Sequence, residues 1–287
     1  MNSPYANRVK RGRLLVIIIR ISIASAGFVL LRALINKLGL DILEVSPLFS
    51  SLVAATVFLL GFLLNGVLSD YKESEKLPGE LSTALYIIAK EIKAIPVHTP
   101  GAQIQDELQS IYYLSGSIIR WIKGEISTDQ VMAHFSLTHD HSVKASAWLK
   151  DSTLKGRLMI EMAAILKSLN RIEVIRETDF ATIVYLLAYA AAGILCVGLT
   201  LIKNDATSIY NNGFFLFSLS WILIFILHLI NDLDNPFGFS DHSSAEDVDL
   251  TILESTQSRL EEICFTQPSG HAMEAPSTAN PSAVNAN

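Results

Sequence analysis

Residues 53–80 read VAATVFLLGFLLNGVLSDYKESEKLPGE. The stretch begins as an apolar helix of membrane length and turns, within a few residues, to dense mixed charge. On its apolar half Ala54, Phe58 and Phe62 recur every four residues, which sets all three along one helical face. Two aromatic rings on one face suit either a packed bundle or a narrow hydrophobic constriction on an ion path. Aromatics at this spacing in a membrane helix ordinarily face lipid or a neighbouring helix, so periodicity alone favours packing.

The rest of the chain explains why this helix sits in a bilayer. Half of the 287 residues are hydrophobic, and four apolar runs stand out: Leu14–Ile35, Pro47–Leu68, Phe180–Ile202 and Phe214–Ile230. Each is of the order of the about 20 residues needed to cross a hydrocarbon core. The composition therefore predicts an all-α integral membrane protein with four transmembrane helices. Ala24-Ser25-Ala26-Gly27 after a basic flank imitates a signal-peptide cleavage site. Arg20, however, interrupts the short apolar run before it, and hydrophobicity resumes at Phe28, so the first helix reads as retained.

Basic residues set the expected orientation. Arg8, Lys10, Arg11 and Arg13 precede the first span, and thirteen Lys or Arg lie between Ser69 and Asp179. The two short connections carry only Lys37 and Lys203. Both termini and the long insert are thus expected in the cytoplasm, in a cell membrane. The organisation that follows is 1–68 with the first two spans, 69–179 as a helical cytoplasmic region, and 180–230 with the last two spans. An acidic tail covers 231–265, and 266–287, rich in Pro, Ser, Ala and Asn, is expected to be disordered. The formal net charge is −6, while the tail beyond Ile230 holds ten acids against the single Arg259. An acidic tail argues against nucleic acid as a partner.

The insert carries helical periodicity. Leu81, Leu85, Ile88, Ile92 and Ile95 keep a 3–4 spacing, and Pro96 with Pro100-Gly101 is expected to end that helix. A second helix is expected from Gln103 to Lys123, with Ile104, Leu108, Ile111, Tyr112, Ser115 and Ile119 as its stripe and Gly124 as its stop. Ser127-Thr128-Asp129 should cap a third. Leu154–Glu177 is again helical, and without a breaker it is expected to continue into the third span.

Enzymatic constellations are absent: there is no glycine-rich phosphate loop, Ser/His/Asp arrangement or HExxH. His139-Asp140-His141 has a spacing that points the imidazoles apart on a helix and suits solvated polar residues better than metal ligands. Arg20 and Arg32 are placed to snorkel towards opposite membrane faces. Asn65, one turn beyond Gly61, could face water or bridge two helices.

Two motifs carry a resemblance. Phe58-Leu59-Leu60-Gly61-Phe62, continuing through Asp70-Tyr71-Lys72-Glu73 to Glu75-Lys76-Leu77-Pro78, resembles the second helix of bestrophin channels, where an aromatic-x-x-Gly-aromatic stretch forms a hydrophobic neck. Asn235-Pro236-Phe237-Gly238, just past the fourth span and followed by acids, is similar to the family's Asn-Pro-Phe-Gly turn. Residues 1–262 look most like the divergent bestrophin-like branch of bacteria. The resemblance implies a homopentameric channel for small inorganic ions, chloride or other anions by family with cations possible, and no cofactor. It places Ala54, Phe58 and Phe62 at the pore neck and Asn65, Asp70 and Glu73 at the cytoplasmic mouth, where an inward acidic ring would favour cations. The Asn-Pro-Phe-Gly turn is expected to dock the tail on a neighbouring subunit. The aspartates of calcium-gated members fall at Ser240 and Ser243, which leaves Asp241, Glu246, Asp247 and Asp249 as weak substitutes and predicts no calcium gating. The competing reading is a membrane-anchored interaction or scaffold protein with no pore.

Overall fold

The computed structural model describes residues 4–40, 42–44, 46–177, 182–203, 209–234, 236–237 and 247–265. Within them the chain forms nine helices: α1 (Pro4–Leu38), α2 (Pro47–Ser74), α3 (Leu77–His98), α4 (Gln105–Ile122), α5 (Thr128–Ala147), α6 (Ser152–Glu177), α7 (Thr182–Thr200), α8 (Ile209–Leu233) and α9 (Thr251–Phe265). Four of them are long and apolar enough to cross a bilayer: α1, α2 and α8 contain three of the runs read from the sequence, and α7 forms the larger part of the run Phe180–Ile202. The only β pairing among the described residues is an isolated parallel bridge between Leu43 and Ile202, which ties the connection after α1 to the end of α7.

The membrane helices pack around a core shared by α2, α7 and α8. Leu60, Leu63 and Val67 of α2 meet Ala188, Ala192 and Leu195 of α7 and Leu223, Leu227 and Ile230 of α8. Small residues on α7 let the helices approach closely, as van der Waals packing in lipid requires. At Gly198 a Cβ would come within 3.0 Å of the Phe49 ring, so glycine there is a fit to α2. α1 lies along α8, burying Ile17 and Ile21 against Trp221, Ile224 and Phe225. Trp221 stacks on Phe225 at 5.1 Å and donates its indole N–H to Ser22 Oγ at 3.2 Å.

The second core belongs to α3–α6 and α9. The stripe Leu81, Leu85, Ile88, Ile92 and Ile95 is fully buried in it. Pro96 does not end α3, which runs on to His98. The proline falls in the last turn, where losing one backbone N–H removes a single intrahelical bond and leaves the earlier turns intact. α4 ends as expected before Gly124, whose φ of +75° is the left-handed conformation glycine adopts at low cost. Ser127 and Gln130 form a reciprocal capping box that starts α5. Trp121, buried at the end of α4, donates to Thr128 Oγ1 at 3.1 Å. Arg176 of α6 covers its ring, 5.2 Å from the centroid.

α9 folds back onto α3 and α4 of the same chain, burying Leu253, Leu260, Ile263 and Cys264. Pro236 and Phe237 lead into it: Phe237 is buried in this second core, and the Val248 N–H donates to the Pro236 carbonyl at 3.0 Å. The described part of the turn therefore packs the start of the tail against its own chain. Asn235, Gly238, Asp241 and Glu246 lie outside the described residues, as do the 266–287 tail and the junction between α6 and α7.

Candidate functional site

Burial divides α2 into two faces. Thr56, Leu60, Leu63, Val67 and Ser74 are buried. Ala54, Phe58, Phe62, Asn65, Ser69 and Lys72 are exposed on the other side. The contrast is steep at the aromatics: Phe58 is 76% and Phe62 67% exposed, whereas Leu60 and Leu63 are at 0%. The two rings do not plug the bundle of their own chain. Exposure of apolar residues is expected where a helix meets lipid, so it does not by itself define a site.

Polarity separates the two readings. Asn65 follows Phe58 by seven residues, about two turns, and is exposed within an apolar span. An amide in hydrocarbon leaves donors and acceptors unpaired at a cost of several kcal/mol. A column with an aromatic pair and then an exposed amide is therefore poorly suited to face lipid. It suits contact with water or with polar groups of another copy of the chain.

The charged end of α2 is held by α6. Arg171 donates from Nε to Glu73 Oε1 at 2.8 Å and from Nη2 to Glu73 Oε2 at 2.6 Å, a two-point fit of guanidinium to carboxylate. Asp70 lies 3.8 Å from the same Nη2. The Arg171 hydrogen bond holds the Glu73 carboxyl below its ordinary range, against a smaller opposing effect of burial. Of the two acids expected at the mouth, Asp70 turns to the flank of α2, towards α6. Glu73 lies at the edge of the exposed face with both oxygens occupied. Arg171 carried no signal as a partner, because the pairing spans 98 positions of sequence.

The remaining candidates separate. Asp249 Oδ1 accepts from the N–H of Thr251 at 2.9 Å and from its hydroxyl at 2.5 Å, which sets the entry to α9 in the manner of an Asx turn. Among the described residues no three His, Cys, Asp or Glu side chains gather as metal ligands. His139, Asp140 and His141 lie on α5, while His134 is hydrogen-bonded to Ser117.

No protein-family model matches the chain, and no curated protein matches it by sequence. Solved structures do. A bacterial bestrophin homolog from Klebsiella pneumoniae aligns over 89% of this chain and 100% of its own, with a TM-score of 0.67 at 15% identity. The chain has the bestrophin fold. A point variant of the same Klebsiella protein aligns over 86% of this chain and 98% of its own, with a TM-score of 0.68 at 16% identity. A structure described as a membrane protein covers 88% and 99%, with a TM-score of 0.69 at 15% identity. At a coverage of 89% of this chain, the likeness takes in both the membrane helices and the second core.

Proposed function

We propose that the chain is a bestrophin-like ion channel, a homopentamer in a cell membrane that passively conducts small inorganic ions. Five α2 helices surround the axis, with Ala54, Phe58 and Phe62 forming stacked rings about 6 Å apart, the rise of four helical residues. Phe58 and Phe62 make the hydrophobic neck. Ala54 leaves the outer ring wide. Asn65 meets the water column below, and the α3–α6 core continues the path on the cytoplasmic side, where both termini lie. The observation that carries this reading is the exposed column of α2, in which Asn65 follows Phe58 inside an apolar span.

A neck of this kind closes by dewetting, so removing the rings should open it. In planar bilayers containing the full-length protein, Phe58→Ala with Phe62→Ala is expected to raise conductance or open probability severalfold over the unsubstituted protein. Silence from both forms would remove the channel reading and leave the membrane-anchored interaction protein in its place.

A further inference from the structure

α2 carries three charged side chains, Asp70, Lys72 and Glu73, and the fold sorts them. Phe58, Asn65 and Lys72 follow one another at steps of seven residues, each within about 20° of two full helical turns. All three are exposed, so the column that begins with the aromatic ring ends in an ammonium group. Asp70 lies twelve residues beyond Phe58, about a third of a turn away, facing Arg171. Glu73 stays near the Phe62 edge, but Arg171 occupies both its oxygens. Arg171 offsets one of the two carboxylates, and the remaining negative charge of the cluster lies on the α6 side of α2, away from the Phe58–Asn65–Lys72 column. Among the described residues Lys72 has no ion pair or side-chain hydrogen bond. Its charge is uncompensated on that face.

We infer that Lys72 is the charge-selecting residue of this path, a ring of ammonium groups below the neck that favours small anions over small cations. The inference rests on the channel reading above. The contribution of the ring comes from symmetry: one ammonium is weakly felt through water, whereas copies converging on one axis add their potentials. Lys72 also lies in the last turn of α2, where a cation complements the helix dipole. That role is served at any position around the helix and does not touch ion selection.

The test is the reversal potential of the full-length protein in planar bilayers under a potassium chloride gradient. The unsubstituted channel is expected to reverse on the chloride side of zero. Lys72→Glu should move it to the potassium side, Lys72→Gln should bring it towards zero, and Lys72→Arg should leave it in place. The side chain is exposed, so the Gln form removes the charge without disturbing a packed neighbour. Current that reverses on the potassium side in the unsubstituted protein, or is unmoved by both Lys72→Glu and Lys72→Gln, overturns the inference and leaves the channel standing. Silence from the unsubstituted and neck-substituted forms alike overturns both.

Discussion

Cys264 sits near the end of α9, where its thiol donates to the Leu108 carbonyl oxygen at 3.2 Å. Burial pushes its pKa up to about 11, partly opposed by the positive charge of Lys93. The neutral thiol is the form the fold favours. Between its ordinary value of 9.0 and about 11, the unfolded chain ionises before the folded one, so this residue's contribution to stability is present below that window and falls as pH rises through it. At pH 8 only about one molecule in a thousand carries the thiolate, and access is blocked as well. In a Cys196→Ala background, Cys264 of the detergent-solubilised protein should resist a disulfide-exchange reagent at pH 8 and react at once after denaturation. Labelling of the folded protein at the rate of a free thiol would contradict this packing. The same scale accounts for the acids of α2. Asp70 and Glu73 look like pore-mouth charges in the sequence, and one arginine on another helix decides where they point and how much charge they show.

Three helices end without a basic residue in their last turn, α7, α8 and α9, and two of them, α7 and α9, receive a cation from elsewhere. Arg32 of α1 donates from Nη1 to the Leu199 carbonyl at 2.6 Å and from Nη2 to the Ile202 carbonyl at 3.3 Å. Lys93 of α3 donates to the Ile263 carbonyl at 3.1 Å, and Gln105 to that of Cys264 at 2.7 Å. These contacts supply the C-terminal carbonyls that a helix leaves unpaired and place positive charge at the negative end of its dipole. Arg32 is therefore not simply a side chain reaching for headgroups; it joins α1 to α7. Arg32→Ala should lower the stability of the solubilised protein by about 1–3 kcal/mol, read as a fall in the thermal midpoint, with Arg32→Lys intermediate. An unchanged midpoint for Arg32→Ala would mean that headgroup contact is its main role.

The apolar windows of the four membrane helices are only 11–28% buried within the chain. Lipid or further copies of the chain must cover the rest. The column on α2 is the part that lipid covers badly, because it is the part that carries Asn65. The assembly that hides it from hydrocarbon should survive mild detergent. Light scattering of the solubilised protein should give the protein mass of five chains of 31.5 kDa. A monomer or dimer would instead favour the interaction-protein reading.

The membrane class, the positions of the four spans, and most helix boundaries in the second core were legible in the residue order, because burial imposes periods of 3–4 that Leu81 to Ile95 keep throughout. The caps at Ser127 and Gly124 were legible too, since capping is a local interaction. The run through Pro96 was missed: a proline's cost depends on how many helical bonds lie beyond it. Phe58 and Phe62 could be assigned to a face from their spacing, but the direction of that face depends on Leu60, Leu63 and Val67 finding partners on α7 and α8 more than a hundred residues later. The same holds for Arg171 with Glu73, Arg32 with Leu199, and the return of α9 onto α3 and α4. Local periodicity is written in neighbouring residues. Which side of α2 stays open, and which of its charges stays unpaired there, follows from contacts that exist only once distant helices have packed.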